Sequence, residues 1–201
     1  RHRAMAEIHE QQAASSTDPA AAARLWERAA RLRAQAGDTA GAARAYAHGV
    51  ERYAAARLPG TSFLLGGNGW HGKAMPGNVR AIGHVGTADH NAFNCSALVV
   101  LNVARDSMAS VGFSPATRVF EAAGAGMCLI TDAWEGIELF LAPETEVLVA
   151  RDGADVAAHL RALTPARART IGRAALRRVR AQHTYGQRAE ILDRLLRSMK
   201  A

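Results

Sequence analysis

The stretch G-F-S-P-A-T-R-V-F-E-A-A-G-A-G-M-C-L-I-T-D-A-W-E-G-I-E, Gly112 to Glu138, decides how the rest of the chain is read. It predicts a turn, a short helix, a glycine link, a buried strand and a second loop that leads into a helix. Ser114 suits the N-cap and Pro115 the first helical position, where a missing N–H costs nothing. Gly124 and Gly126 end the helix, and Met127–Thr131 is an apolar run of strand length. Asp132-Ala-Trp-Glu-Gly136 then falls where a parallel strand would end, which is where open α/β sheets hold their ligands. Glu121 is a charge set within an otherwise small and apolar helix, and it needs a reason.

Outward from this stretch the chain alternates strands with helices. Short strands are predicted at Ser62–Leu65, Val79–Ile82, Ala97–Val103, Met127–Thr131 and Glu146–Ala150. Helices are expected at Asp89–Ser96, Pro115–Ala123, Glu135–Leu141, Gly153–Leu163, Pro165–Gln182 and Thr184–Met199. Continuous apolar strands between helices imply a doubly wound parallel sheet of about five strands, covered on both faces. Residues 1–57 differ from this pattern and read as helices. Asp18 and Pro19 open one over Pro19–Ala36, and Thr39–Arg57 forms its partner beyond Gly37-Asp38. Trp26, Gly37, Ala42, Tyr46 and Gly49 fall where a tetratricopeptide repeat places its packing residues, although a single unit is fewer than such repeats need to stack. Two amphipathic helices packed on the following domain would look the same. The expected division is therefore a helical segment, 1–57, and an α/β domain, 58–201.

The composition is that of a globular chain: 201 residues, 49% hydrophobic and 21% charged. There is no run of about 20 apolar residues to span a bilayer and no signal-peptide pattern, so a cytoplasmic location is expected. Cys95 and Cys128 lack metal-ligand spacing and read as buried thiols in a reducing compartment. A first residue of Arg rather than Met suggests a piece of a longer chain. The net charge is +7, much of it in late arginines from Arg161 to Arg197. These follow helical spacing without interleaved aromatic residues, so a solvated helix face is favoured over a nucleic-acid surface.

P-loop, zinc-site and nucleophile-elbow patterns are all missing, and no catalytic residue can be named. The glycine-rich Leu64-Leu-Gly-Gly67-Asn-Gly69 follows a strand but lacks G-x-G-x-x-G spacing, and it reads first as a loop. Even so, Gly66 and Gly67 would let backbone N–H groups approach a phosphate. His84 follows a strand and could face the same crevice. Glu121 has two readings: an i, i+3 partner of Arg118 on a solvent stripe, or a carboxylate accepting hydrogen bonds from a ribose diol. Helix-opening N–H groups near Ser114–Thr117 could hold a diphosphate. Periodicity does not choose between the two.

A resemblance chooses. Phe63-Leu-Leu-Gly-Gly, Asn78-Val-Arg-Ala-Ile-Gly-His-Val, Leu101-Asn-Val-Ala-Arg105, Ser114-Pro-x-x-Arg118-x-Phe-Glu121-Ala-Ala-x-x-Gly126, Thr131-Asp-x-Trp-Glu-Gly136-x-Glu138 and His183-Thr-Tyr185 occur in an order that resembles the C-terminal half of a GT-B glycosyltransferase of the CgeB-like, spore-maturation group. The resemblance covers about Leu58 to Leu196 and implies a Rossmann-like domain that binds a nucleotide-diphosphate sugar as donor substrate, with no separate cofactor. It implies that Glu121 holds the donor ribose and that loops at Gly66–Gly67, Ser114 and Glu135–Gly136 face the diphosphate or the sugar. His84 joins that donor set from its place after a strand. Arg105 and Arg118 become candidates for phosphate contacts, because a diphosphate leaving group needs positive charge. With arginines and a helix N-terminus supplying that charge, no metal is required. A complete enzyme of this kind has two such domains, and this chain has room for one. Activity is thus expected to need an N-terminal domain or partner protein. The alternative is a non-catalytic scaffold with a helical recruitment module.

Overall fold

The computed structural model of the protein describes residues 2–38, 55, 57–67, 75–103 and 112–199. Two helices come first, α1 (His2–Ser15) and α2 (Pro19–Gln35). Alanine makes their contact close: Ala6, Ala29 and Ala30 are fully buried, with Trp26 and Leu32 packed against them. The Arg33 guanidinium crosses the pair, bonding Glu10 of α1 through Nε (2.5 Å) and Nη2 (2.7 Å) and Asp38 through Nη1 (2.7 Å). The expected partner helix Thr39–Arg57, with Ala42, Tyr46 and Gly49, lies outside the described residues except for Ala55 and Arg57. The helix–helix contact that is seen joins α2 to α1 instead.

Five strands follow among the described residues, all in parallel pairings: β1 (Phe63–Gly66), β2 (Val79–Gly83), β3 (Val100–Asn102), β4 (Leu129–Asp132) and β5 (Leu148–Ala150). Their hydrogen bonds make two ladders rather than one, a β1–β2 pair and a three-stranded β3–β4–β5 sheet. Asn78 secures the approach to β2. Its amide nitrogen lies 2.8–3.0 Å from the carbonyls of Ala55, Leu58 and Thr61.

Helices cover the larger sheet on both faces, as runs of apolar strand residues require. α3 (His90–Cys95) lies beside α4 (Thr117–Gly124); α4, α5 (Gly153–Ala162) and α6 (Pro165–Gln182) supply the cover, and α7 (Tyr185–Ser198) buries no residue. Side chains alternate across β4 with a period of two. Leu129 joins Val119, Ala122, Ala123 and Trp134 on one face, whereas Cys128 and Ile130 join Leu148, Val156 and Leu163 on the other. α6 serves both faces, with Ala175 and Val179 in the first cluster and Ala168 and Ile171 in the second. Cys128 is inert in this setting, its thiol pushed up to about 11 by burial. Cys95, expected to be buried, is exposed at the end of α3.

Side chains cap three of these helices, whereas the cap expected for α4 is not made. Asp152 accepts from the N–H groups of Ala154 and Asp155 to open α5, Thr164 precedes Pro165 at the start of α6, and Thr184 with Gln187 forms a capping box on α7. α4 begins at Thr117 behind Ala116, which has no side-chain cap, so Ser114 is not the N-cap and Pro115 lies ahead of the helix. The chain there turns through Gly112 and Phe113 first, which delays the helix by two residues. The helix expected over Glu135–Leu141 is a short 3-10 turn, Ile137–Leu139.

Gly126 and Gly172 carry the closest approach in the domain. Gly126 (φ +74°) ends α4 in a Schellman turn, with Met127 N–H donating to Ala122 and Gly126 N–H to Ala123, both at 3.0 Å. A Cβ on Gly172 would stand 2.1 Å from the Gly126 carbonyl oxygen, so only glycine lets α6 lie on this turn. Gly172→Ala is expected to cost about 3 kcal/mol or more, because the obstacle is backbone. Urea unfolding of the variant should show a large fall in the midpoint.

His183 ends α6 beneath Phe140. Its Nε2 lies 3.0 Å from the Phe140 carbonyl and donates to it, while Nδ1 accepts from Arg188 Nη2 at 3.2 Å. This arrangement selects the neutral ring. Burial first, and then the Arg188 charge, lower the imidazole pKa below its ordinary value. A depressed histidine pKa means that the unfolded chain takes up the proton first as pH falls. Stability should therefore decline below about pH 6.5, the ordinary histidine value. His183→Gln should flatten that decline in unfolding free energies measured between pH 7 and 5.

Candidate functional site

Because the strands of each sheet are parallel, their carboxyl ends lie together, and the loops that leave them collect the polar residues. β3 and β4 end in a matched polar pair, Asn102 and Thr131, which are register partners. Both are buried. The Thr131 hydroxyl accepts from Asn102 Nδ2 (3.1 Å) and Trp134 Nε1 (3.4 Å) and donates to Asp132 Oδ1 (3.2 Å). One oxygen thus joins two strand ends to the indole of the following loop. Trp134 in turn packs on Phe140, ring centroids 6.0 Å apart.

The loop after β4 meets the segment leading to α4. Phe113 N–H donates to the Glu135 carbonyl at 2.7 Å. Gly112 (φ +69°) is buried so close to Glu135 that a Cβ would meet that side chain at 3.1 Å. The Phe113 ring lies on Gly136 (φ +92°), where a Cβ would reach Cδ1 of the ring at 2.4 Å. Phe113 itself has φ +50°, a left-handed conformation that costs a non-glycine residue about 1 kcal/mol.

On α4, Val119, Ala122 and Ala123 are buried, whereas Glu121 projects outward with its side chain 43% exposed. It does not pair with Arg118. Its Oε2 lies 3.9 Å from Nδ1 of His90 at the start of α3, and the His90 ring is oriented by Nε2 donating to the Val85 carbonyl at 3.1 Å. The turn carried in the sequence from His84 through Val85 to His90 thereby reaches the carboxylate of α4.

The sequence-expected site residues fall into two groups. Ser114, half-buried, stands beside the Gly112–Phe113 contact with exposed Glu135 and buried Gly136. Gly66, Gly67 and exposed His84 stand at the ends of β1 and β2, where Gly67 N–H donates to Gly83 at 2.7 Å. A Cβ on Gly66 would strike Val85 (2.8 Å) and Phe93 (3.2 Å), so this glycine admits side chains of its own domain. The contact joining the two groups is Glu121 with His90. Arg118 is exposed, and Arg105 lies outside the described residues. Among the described residues there is no cluster of three or more His, Cys, Asp or Glu able to hold a metal. No described helix is long and apolar enough to cross a membrane.

Sequence reasoning overlooked Asn102, Phe113 and His90. A signal for Asn102 was there to be read, since it closes an apolar strand with a polar residue. A positive φ at Phe113 leaves no mark in the sequence, and the His90–Glu121 approach depends on how two distant segments pack. Thr131→Val keeps the side-chain shape and leaves Asn102 and Trp134 without their acceptor. It should cost about 2 kcal/mol in chemical denaturation, and Thr131→Ser should recover most of the loss.

Comparison with known proteins bears on the fold and the family of the chain. In the solved sucrose-phosphate synthase from Thermosynechococcus elongatus, a region matches 61% of this chain with a TM-score of 0.52 and 22% identity. The chain spans about 30% of the length of that structure. No curated protein sequence matches. The likeness in fold is that of a Rossmann-like GT-B domain, here with its parallel strands in two ladders. The glycosyl transferase-like family matches residues 50–194, well over half of the chain, from ahead of β1 to within α7. The chain belongs to the glycosyl transferase-like family.

Proposed function

We propose that this domain binds a nucleotide-diphosphate sugar as the donor for glycosyl transfer, as the C-terminal half of a GT-B enzyme of the CgeB-like group. The observation that carries the reading is the position of Glu121. A carboxylate on the helix that buries Val119, Ala122 and Ala123 stays half in solvent, and among the described residues its charged contact is the long one to His90. A ribose diol offers it two O–H donors, and charged hydrogen bonds of this kind are each worth about 1.5–3 kcal/mol. The chain just before α4, with Ser114 and the backbone N–H groups of the first turn, suits the diphosphate, and Arg118 lies one helical turn before Glu121. Arg105, Gly66, Gly67 and His84 complete the proposed donor surface, and Glu135 and Gly136 face the sugar. Positive charge and backbone dipoles would stabilise the departing diphosphate without a metal.

A second domain belongs to this reading. α7 has no buried residue and exposes Ile191, Leu192, Leu195 and Leu196, with Met199 exposed at its C-cap. These positions form one apolar stripe by helical periodicity, of the width that normally faces a partner. An N-terminal domain or partner chain lying on it would bring the acceptor, and the location would be cytoplasmic. A purely scaffolding role would leave the Glu121 position without a purpose.

Thermal-shift titration with UDP-, GDP- and dTDP-glucose tests the donor site. Saturable stabilisation by one of these is expected, and Glu121→Ala should weaken it roughly 10- to 100-fold, in line with lost charged hydrogen bonds. A wild-type chain indifferent to all three would leave the scaffold reading in its place.

A further inference from the structure

We propose that the ring of Phe113 is a stacking platform for the apolar C–H face of the donor's pyranose, and that it helps to set which sugar the domain accepts. The inference rests on the nucleotide-sugar reading above. Phe113 is 54% exposed, and unlike the apolar side chains along α7 it projects from a tight turn. Three local features hold it there. The backbone is left-handed at both Gly112 (φ +69°) and Phe113 (φ +50°). The Phe113 N–H is tied to the Glu135 carbonyl at 2.7 Å. The ring rests on the bare backbone of Gly136, which has no room for a side chain.

A strained, exposed aromatic fixed by two loops is costly for stability alone, and backbone strain of this sort gathers at ligand sites. Flat aromatic rings bind pyranoses by covering the face on which axial C–H groups point outward, and the rigid turn presents the ring without further loss of freedom. The order of groups along the donor selects sugar over base. Glu121 is assigned to the ribose and the segment opening α4 to the diphosphate, and the group beyond the diphosphate is the sugar. Phe113 immediately precedes that segment and touches Gly136, which the proposed donor reading turns toward the sugar. The base, on the far side of the ribose, lies in the opposite direction.

Isothermal titration of the 201-residue chain with UDP-, GDP- and dTDP-glucose, each paired with its free nucleoside diphosphate, tests the assignment. Phe113→Leu keeps an apolar contact on Gly136 but removes the flat ring. It should raise the Kd for the preferred nucleotide sugar roughly three- to ten-fold, the scale of one aromatic contact, while that of the free diphosphate stays within about twofold. Phe113→Trp should retain sugar binding and, after subtraction of the change given by Trp26, Trp70 and Trp134 in the wild type, show an added emission change with the nucleotide sugar and not with the diphosphate. If Phe113→Leu binds both ligands like the wild type, or loses both equally, the platform is overturned while the donor site stands. If Phe113→Leu does not fold, the emission of Phe113→Trp decides, and the lack of an added change overturns the platform. If the wild type binds none of the nucleotides, the donor reading falls and the platform falls with it.

Discussion

The hydroxyl of Thr131 joins two strands and the loop that follows the second. It is fully buried at the carboxyl end of the central strand, so each hydrogen bond it makes replaces one that water would otherwise supply. With two donors directed at it and one acceptor taking its proton, it fixes the ends of β3 and β4 and the indole that opens the next loop. That loop carries Glu135 and Gly136, which in turn hold Gly112 and Phe113. The conformation of the surface turn is thus set by a polar contact in the interior, through covalent and packing steps that each span only a few residues.

Much of this was legible in the sequence because it follows from periodicity. Apolar runs of strand length gave all five described strands within a few residues, and α6 was bounded correctly at Pro165 and Gln182, since proline at a helix start has a local meaning. Gly126 was read as a helix stop and is one. The failures came where two segments meet. Ser114 looked like a cap because the two positions before it gave no warning of left-handed backbone, and Cys95 looked buried because a short helix near an apolar strand does not reveal its outward face. Glu121 had been offered Arg118 as a partner by local spacing. His90, more than thirty residues away, takes that place through the packing of α3 against α4.

The two sheets and the chemistry also depend on each other. Gly66 and Gly67 lie on one ladder, and Ser114, Glu135 and Gly136 follow strands of the other. A donor lying across both would contact the ends of β1 and β2 at one end and the β4 loop at the other. The Glu121–His90 contact, half exposed and long, is then a junction that ligand binding can tighten without disturbing the core. On the proposed donor reading this is a division of labour in which the buried clusters supply rigidity and the exposed carboxylate would supply adaptable hydrogen bonding.

The order of strands in the larger sheet has a consequence for synthesis on the ribosome. β3, β4 and β5 pair in the sequence in which they emerge, so each new strand finds its neighbour already made. The core is nevertheless incomplete at that stage. α6 contributes to both apolar clusters, and the residues with which it does so run from Ala168 to Val179. Until that helix leaves the exit tunnel, both faces of the sheet remain partly uncovered, and a nascent chain stalled before it would present two sticky surfaces to chaperones. α6 thus acts as the closing clasp of the sheet, and the time needed to translate it is a period of vulnerability written into the topology.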